Sequence, residues 1–219
     1  MKIKPFRIYM LKKYITRNDL KILDIGSGSH SPSITKTWFS QSTYHAVDIN
    51  LNYNNDKKDI ESIDKFFQKD LTLLDFNDIE DNSYDLIIMS HIIEHLSNGD
   101  RVIESLLSKL KPEGIIYIEY PSDKSLSLPS MQETLNFFDD PTHVRVYTLP
   151  ELVNLLIRNN TKILRCGTRK RFLTNLLIPI KVVYQLLSKG YIRGGTLWDI
   201  TGFAEYIIAR KKQVSSCKI

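Results

Sequence analysis

The chain has 219 residues, 42% of them hydrophobic and 25% charged, and these globular averages fit a single domain able to bury a core. Its two cysteines, Cys166 and Cys217, are too few for a disulfide framework or a metal cluster, which suits a reducing compartment. The basic N-terminus lacks the apolar core of a signal peptide, and no apolar run is long enough to span a membrane. We therefore expect one domain, over residues 1–219, in the cytoplasm.

The net charge of +5 hides an asymmetry between two parts of the chain. Residues 1–150 contain 17 basic and 22 acidic side chains, a net of −5, whereas residues 151–219 contain 13 and 3, a net of +10. The densest basic cluster consists of Arg165, Arg169, Lys170 and Arg171. This part could face nucleic acid, a phospholipid surface or a phosphorylated substrate, or it could be a solvated basic surface.

Hydrophobic periodicity and turn residues predict strands alternating with helices along the chain. A leading helix is expected over Phe6–Ile15, and an insertion over about residues 169–200 separates the last two strands. The predicted strands are Lys21–Ile25, Tyr44–Ile49, a short one near Asp70–Leu73, Tyr84–Ser90, Ile115–Tyr120, Lys162–Gly167 and Phe203–Ala209. The predicted helices are Ser31–Ser40, Asp59–Phe67, Gly99–Leu110 and one that starts at a capping box, Thr148 to Glu151, and runs to Asn159.

The most informative segment is Ile22–Pro32, with the sequence ILDIGSGSHSP. An apolar strand ends near Asp24, and two glycines, Gly26 and Gly28, turn the chain toward the start of a helix. Gly26 permits a positive φ, Gly28 lets the backbone approach a ligand, and the N-terminus of the helix favours a negative group. The third glycine of a dinucleotide-binding loop is missing, so this segment alone leaves a plain turn open.

Three later motifs strengthen the prediction of a nucleotide-type site. Asp48 follows the apolar residues of YHAVDIN, where an acid binds ribose hydroxyls or caps the next turn. The tripeptide KDL follows at Lys69–Leu71, and YDLIIMS, at Tyr84–Ser90, is the near-continuous apolar run of a central parallel strand. The segment LKPEGIIYIE, at Leu110–Glu119, places a proline and a glycine between a helix and another buried strand.

In this order the motifs resemble those of class I S-adenosylmethionine-dependent methyltransferases, over roughly Ile22–Leu156. The resemblance implies an α/β fold with a Rossmann-like, doubly wound sheet of seven strands, mostly parallel with an antiparallel strand seven, and helices on both faces. It also implies S-adenosylmethionine as cofactor and S-adenosylhomocysteine as product. His30 and Glu113 stand where the family has glycines, without affecting the expected fold. The cofactor-binding residues implied are Asp24, Gly26, Ser27, Gly28, His30, Asp48, Ile49, Asp70, Leu71 and Ser90.

The reaction implied by the resemblance is an in-line displacement at the sulfonium methyl group. An oxygen nucleophile would benefit from a base that titrates near neutral pH, and histidine suits this best. The catalytic candidates are His91, at the end of strand four, and His143, in FFDDPTHVRVY; a structural hydrogen bond is the alternative for each. Asp139 and Asp140 could orient His143, hold substrate hydroxyls or be solvated.

The segment HVRVYTLPELVNLL resembles one in bacterial methyltransferases that act on small molecules, including sugars of surface polysaccharides. The resemblance therefore implies O-methylation of a glycan or a similar hydroxylated acceptor, and no nucleic-acid partner.

Three alternatives remain open. The pentapeptide HIIEH, from His91 through Glu94 to His95, matches the HxxEH zinc motif, but it directly follows a buried strand and lacks a third ligand, so we expect no metal. A nicotinamide cofactor would suit the glycine turn and Asp48 equally, although no catalytic Tyr-x-x-x-Lys follows. The third alternative is a binding protein that has kept the fold but lost the chemistry.

The insertion carries an apolar stripe at helical spacing over Phe172–Leu187, and Pro179 should kink or break that helix. A basic cluster beside such a helix is typical of a membrane-surface element, and equally of a lid or a dimer contact. We expect the stripe to cover the substrate side of the domain, with Arg169–Arg171 facing an anionic acceptor or lipid head groups at the inner face of the membrane. The oligomeric state stays open.

Overall fold

The buried apolar runs of the chain form one seven-stranded sheet in a computed structural model that describes residues 4–50, 56–171 and 175–213. The strands are β1 (Lys21–Ile25), β2 (Thr43–Asp48), β3 (Lys65–Gln68), β4 (Tyr84–Ser90), β5 (Leu110–Pro121), β6 (Thr161–Thr168) and β7 (Ala204–Lys211). Their order is β3-β2-β1-β4-β5-β7-β6; β1 to β5 run parallel, and β7 pairs antiparallel with both β5 and β6. The predicted doubly wound sheet with an antiparallel strand seven is confirmed.

Helices cover both faces of this sheet. The helices are α1 (Phe6–Leu11), α2 (Ser31–Trp38), α3 (Lys57–Glu61), α4 (Gly99–Lys109), α5 (Leu149–Arg158), α6 (Ile178–Lys189) and α7 (Trp198–Thr201). Because side chains alternate along a strand, neighbouring residues enter different cores. Ile22 packs with Phe6 and Leu11 of α1, whereas Leu23 packs in the core that also holds Leu106 of α4.

The two predicted elements that directly follow β2 are wrong. The helix expected over Asp59–Phe67 ends at Glu61, and the strand expected near Asp70–Leu73 is a 3₁₀ turn over Leu71–Leu73. The third strand is instead Lys65–Gln68, since Phe66 and Phe67 enter opposite cores while their backbone pairs with β2. The apolar spacing of this segment fits both the helical and the strand period, so pairing with the neighbouring strand β2 decided between a helix and a strand.

Helix α5 begins as predicted: Thr148 accepts from the Glu151 amide and Glu151 from the Thr148 amide. The long connection before it, residues 122–148, is built of 3₁₀ turns, among them Asp123–Ser127 and Phe137–Asp139. It lies at the same end of the sheet as the carboxyl end of β4, because the Val144 amide donates to the Glu94 carbonyl at 2.9 Å.

Helix α6 shows the break predicted at Pro179. Residues 175–176 are helical, Leu177 is a turn, and a new helix begins at Ile178 with Pro179 in its first turn, where a missing N–H costs nothing. Ile178 is buried, and the Gln185 amide donates to the Thr196 hydroxyl at 2.8 Å. Phe172 and Leu173 of the predicted stripe lie outside the described residues. Five other side chains of the stripe are exposed and are named here the insertion face: Leu176, just before α6, and Ile180, Val183, Tyr184 and Leu187 of α6.

The predicted packing of this stripe over the substrate side is therefore wrong for these five side chains, of which Leu187 is 85% exposed. Within the ranges that the structure describes, no helix combines the length and apolar character needed to cross a bilayer.

Candidate active site

The glycine turn after β1 lies against the carboxyl end of β2. The Gly26 amide donates to the Val47 carbonyl at 2.8 Å, and the Gly28 amide donates to Asp48 Oδ2 at 3.0 Å. Gly26, Gly28 and His30 all adopt a positive φ, of 64°, 48° and 69°. His30 thus takes the left-handed conformation of the family's third glycine, and its amide donates to the buried carboxylate of Asp59.

A cavity of about 320 Å³ opens on one side of Gly26. Asp24 lies in it, almost completely buried, and accepts hydrogen bonds from the Ser31 and Tyr44 hydroxyls. Burial raises the pKa of Asp24, against the opposing effects of the Arg7 charge and these hydrogen bonds. The lining residues are Arg7, Asp24, Gly26, Ser27, Gly28, Ser29, His30, Ser31, Ile34 and Ser90.

A second cavity, of about 360 Å³, opens on the other side of Gly26 and is mostly apolar. Asp48 faces it while its Oδ1 accepts from the Ile49 amide at 2.8 Å. Asp70 accepts from the Thr72 amide and hydroxyl, which lower the pKa of this carboxyl. The lining residues are Gly26, Asp48, Ile49, Lys69, Asp70, Leu71, Thr72, Ile92, His95 and Leu96. The two cavities together contain every residue that the sequence assigned to the cofactor.

Another cavity, of about 350 Å³, lies beside the amino end of β1, where Arg17, Leu20 and Glu113 line it. None of the residues predicted to bind the cofactor or to act in catalysis lines it, so it is not the candidate site although its volume is similar.

His91 begins the segment after β4 and has a left-handed backbone, with φ at 54°. Its Nδ1 lies 3.2 Å from Glu94 Oε1 and its Nε2 lies 3.1 Å from Glu119 Oε1. Burial lowers the pKa of His91, but hydrogen bonds and charge from Glu119 and Glu94 outweigh burial and raise it to about 9. An imidazolium whose two nitrogens both donate has no lone pair for a proton. The role of base considered for His91 therefore does not fit this geometry.

Glu119 connects His91 to the basic C-terminal part. Its carboxylate accepts from Arg169 Nη1 at 2.8 Å and from the Tyr117 hydroxyl, and Arg169 Nε donates to Asp199 at 2.9 Å. Burial alone would raise the pKa of Glu119, but Arg169 and His91 hold it well below its usual range. This series of buried contacts, His91–Glu119–Arg169–Asp199, connects β4, β5, the end of β6 and α7.

Trp198 of α7 closes one side of this centre. Its ring lies 4.8 Å from the ring of His91 and 4.6 Å from that of Phe203. The parts of the insertion that reach the site are therefore its two ends, Arg169 and Trp198–Asp199, and not the apolar stripe of α6.

His143, the other catalytic candidate, lies near Glu94 Oε1, the oxygen that His91 also contacts. Its Nδ1 lies 2.6 Å from the Phe137 carbonyl, and its Nε2 lies 4.0 Å from Glu94 Oε1 and 3.9 Å from Asp140 Oδ2. Asp139 instead accepts the amides of Met131, Leu135 and Asn136, so its visible role is to hold the loop. Of the two acids considered beside His143, only Asp140 faces it.

The HIIEH pentapeptide does not form the helix that its zinc motif requires. His91 ends the strand region and Ile93–His95 is a single 3₁₀ turn, so the two rings face different surroundings. His91 lies against Glu119 and Trp198, whereas His95 contacts Thr142.

Sequence reasoning missed Arg7, Glu119 and Trp198 as neighbours of the site. It expected Arg169 to face an anionic acceptor or lipid head groups, and this is wrong because Arg169 pairs with the buried Glu119 and with Asp199. One signal was available: Glu119 is a charge inside the apolar run IIYIEYP, and a buried charge needs a partner. The partner itself, Arg169, is 50 residues away along the chain.

The two cavities on either side of a left-handed glycine, with acids at the ends of β1 and β2, define a class I S-adenosylmethionine-dependent methyltransferase. A family model described as a methyltransferase domain matches residues 2–165. The chain belongs to this methyltransferase family, and S-adenosylmethionine is its cofactor.

Solved structures agree on the fold. The chain is similar to an S-adenosylmethionine-dependent methyltransferase from Archaeoglobus fulgidus, with 22% identity, a TM-score of 0.62 and coverage of 93% of this chain and 92% of that one. It is also similar to one from Mesorhizobium loti, with 12% identity, a TM-score of 0.67 and coverage of 94% and 98%. A phosphoethanolamine N-methyltransferase from Haemonchus contortus, in complex with S-adenosyl-L-methionine, matches with 14% identity, a TM-score of 0.64 and coverage of 94% and 52%. No curated protein sequence matches the chain.

Proposed function

We propose that this enzyme methylates a hydroxyl oxygen of a small polyhydroxylated acceptor, such as a sugar of a surface polysaccharide. The observation that supports this most directly is the cluster of hydrogen-bond acceptors beside the cofactor cavities: Glu94, His95, His143 and Asp140. Carboxylate oxygens accept hydroxyl hydrogens and imidazole nitrogens form hydrogen bonds with hydroxyl groups, so the cluster suits an acceptor rich in hydroxyl groups.

The residues of the two cavities suit S-adenosylmethionine. Arg7 Nε is buried without a hydrogen-bond partner, which fits the carboxylate of the methionyl part. Asp24 would receive its ammonium group, and Asp48 the ribose hydroxyls. Gly26 lines both cavities, and a Cβ there would lie 2.5 Å from Ile92 Cδ1 at a positive φ, which favours glycine at this position. Asp70 and Leu71 would border the adenine.

When bound, S-adenosylmethionine supplies a methyl group already activated by its positive sulfur, and S-adenosylhomocysteine remains after transfer to the acceptor oxygen. The chain mainly has to align the two reactants and exclude water. We propose His143 as the residue that contacts the reacting hydroxyl and His91 as a positioning residue that holds Glu94 in place. The hydroxyl proton passes to the cluster and then to solvent as the new oxygen–carbon bond forms.

Binding and turnover test this proposal separately. Asp48→Ala should weaken S-adenosylhomocysteine binding by about 1–3 kcal/mol in titration calorimetry, because the ribose hydroxyls lose a charged acceptor. The control is Asp64→Ala, a carboxylate near the start of β2 that binds the Tyr44 amide and Lys36 and should leave binding unchanged. Transfer of a labelled methyl group to sugars and nucleotide sugars, and not to phosphoethanolamine, is the expected turnover. Transfer to amines alone would contradict O-methylation.

We also propose that the insertion face binds an anionic membrane surface, which would place the enzyme in the cytoplasm at the inner face of the membrane. Five exposed large apolar side chains within residues 176–187 exceed what isolated surface residues explain, and residues 152–198 contain no acid but nine basic side chains. A second copy would bring two basic surfaces together, whereas anionic lipid complements both the charge and the apolar face.

Flotation with vesicles tests this surface. The protein should float with vesicles containing phosphatidylglycerol and not with pure phosphatidylcholine, and binding should weaken as salt rises. Ile180→Gln with Leu187→Gln should abolish flotation. Ile157→Gln is the matched control, because Ile157 is a half-exposed side chain of α5, outside the insertion face. Flotation that survives the double substitution, or a stable dimer that it disrupts, would contradict the proposal.

A further inference from the structure

Three potential metal ligands converge near the carboxyl end of β4. The atoms of Glu94, His95 and His143 that could hold an ion all lie within 4.8 Å of one another. Glu94 is 2% exposed in its side chain, and its Oε2 is buried with no hydrogen-bond partner. A buried carboxylate oxygen without a donor is costly, so this position calls for a positive or hydrogen-donating ligand.

The protonation of both histidines is determined by their neighbours. A carbonyl oxygen only accepts, so His143 Nδ1, at 2.6 Å from the Phe137 carbonyl, carries the hydrogen. By the same reasoning His95 Nδ1, at 3.2 Å from the Thr142 carbonyl, carries its hydrogen. In the neutral form of each ring the lone pair therefore lies on Nε2, the nitrogen that would bind a metal ion. A backbone carbonyl on the far nitrogen is the usual second contact of a metal-binding histidine.

The spacing fits a single ion. Ligand atoms bound at about 2.0–2.2 Å to one ion lie about 3–4 Å apart. His143 Nε2 is 4.0 Å from Glu94 Oε1 and 3.9 Å from Asp140 Oδ2, so small side-chain rotations suffice. Two imidazoles with one glutamate form a zinc-type donor set that leaves a fourth position open, and imidazole favours zinc over magnesium or calcium. We propose that Glu94, His95 and His143 bind a divalent transition-metal ion such as Zn²⁺.

This differs from the HxxEH motif because His143, 48 residues after His95, replaces His91. His91 is already held between Glu119 and Glu94 and takes no part as a ligand.

The role of the ion rests on the proposed function. The open coordination position would receive the acceptor hydroxyl oxygen, in place of its direct contact with His143, and lower the hydroxyl pKa. The hydroxyl proton leaves to solvent, the oxygen lone pair forms the bond to the methyl carbon, and the carbon–sulfur electron pair remains on sulfur. No oxidant or reductant is required.

The experiment titrates Zn²⁺ into the full chain after removal of metals with a chelator. One equivalent should bind, and Glu94→Gln, His95→Ala and His143→Ala should each weaken binding at least tenfold. His45→Ala is the control, since His45 lies in β2 against Tyr84, and it should bind as the wild type does. Co²⁺ substitution gives an independent readout: the d–d absorption of a four-coordinate site should disappear in His143→Ala.

Folding of each variant is checked by a cooperative thermal transition, and His95→Ala, at a partly exposed position, keeps the test decisive if Glu94→Gln fails to fold. Zinc binding that is absent, or unchanged in the His95 and His143 variants, would overturn the inference. S-adenosylhomocysteine binding measured in chelator should persist without the ion. If zinc does not bind but S-adenosylhomocysteine does, only the metal site is contradicted. If S-adenosylhomocysteine does not bind, the proposed function is contradicted.

Discussion

The cofactor edge, formed by β1 to β4, and the C-terminal part, from residue 152 onward, build their surroundings of the site differently. At the cofactor edge, residues close together in the chain shape the site: three residues with left-handed backbone, Gly26, Gly28 and His30, line the cavities. In the C-terminal part, side chains far apart in sequence meet, as Arg169 does with Glu119 and Trp198 with His91. A site made by adjacent residues is visible in a sequence, and a site made by distant ones is not.

The sharpest test removes Arg169, which links the C-terminal part to Glu119 of β5 and, through Glu119, to His91 after β4. Arg169→Met should lower the free energy of unfolding by about 3–5 kcal/mol, because it leaves the buried Glu119 without its guanidinium partner. Lys170→Met, at the exposed neighbouring position, should change stability by less than about 0.5 kcal/mol. Denaturant unfolding of both variants measures the difference. Equal stability of the two would mean that the regions are not joined through this pair.

A smaller loss is expected at the glycine turn. Gly26→Ala should cost about 2 kcal/mol, from a left-handed alanine and the approach of its Cβ to Ile92, and should weaken S-adenosylhomocysteine binding at least tenfold. Gly190→Ala makes the same change at a positive φ in open space at the end of α6. It should cost about 1 kcal/mol and leave cofactor binding unchanged. Similar binding by both variants would separate Gly26 from the cofactor.

Asp24→Asn should stabilise the protein while weakening cofactor binding. Burial raises the pKa of Asp24 above its unfolded value, so its ionisation opposes folding and wild-type stability falls as the pH rises above about 4. Asparagine removes that cost, and the variant should be more stable at pH 7 by about 1 kcal/mol. The gain should vanish below about pH 3, where Asp24 is protonated in both states. Thermal unfolding at the two pH values measures it, and a gain that does not depend on pH would contradict this cause.

The smallest effect is expected on the insertion face. Leu187→Gln should change the free energy of unfolding by less than about 0.5 kcal/mol, because Leu187 is 85% exposed. Leu106→Ala, in the fully buried face of α4, should cost about 2–5 kcal/mol. A large loss at Leu187 would show that this helix packs on the domain.

Much of the cofactor half could be predicted because local rules agree there. The bounds of β1 and β4 match the prediction, since apolar runs that end in turn residues have one favourable state. At β3 the local rules did not agree. The apolar pattern of Lys65–Gln68 also fits a helix, and hydrogen bonding to β2 makes it a strand. The stripe of α6 was recognised, but its position was not, because amphipathicity does not specify what covers a helix.

By itself, the sequence determined the order of the strands along the chain, the glycine turn and the acids at the ends of β1 and β2, and with them the class of enzyme. These depend on residues close together in the chain, where side-chain period and backbone freedom are local properties. Only the tertiary structure decided that His91 is held between Glu94 and Glu119, and that His143 lies near the same oxygen of Glu94. Those contacts depend on how the long connection and the insertion fold back on the sheet, which no periodicity encodes.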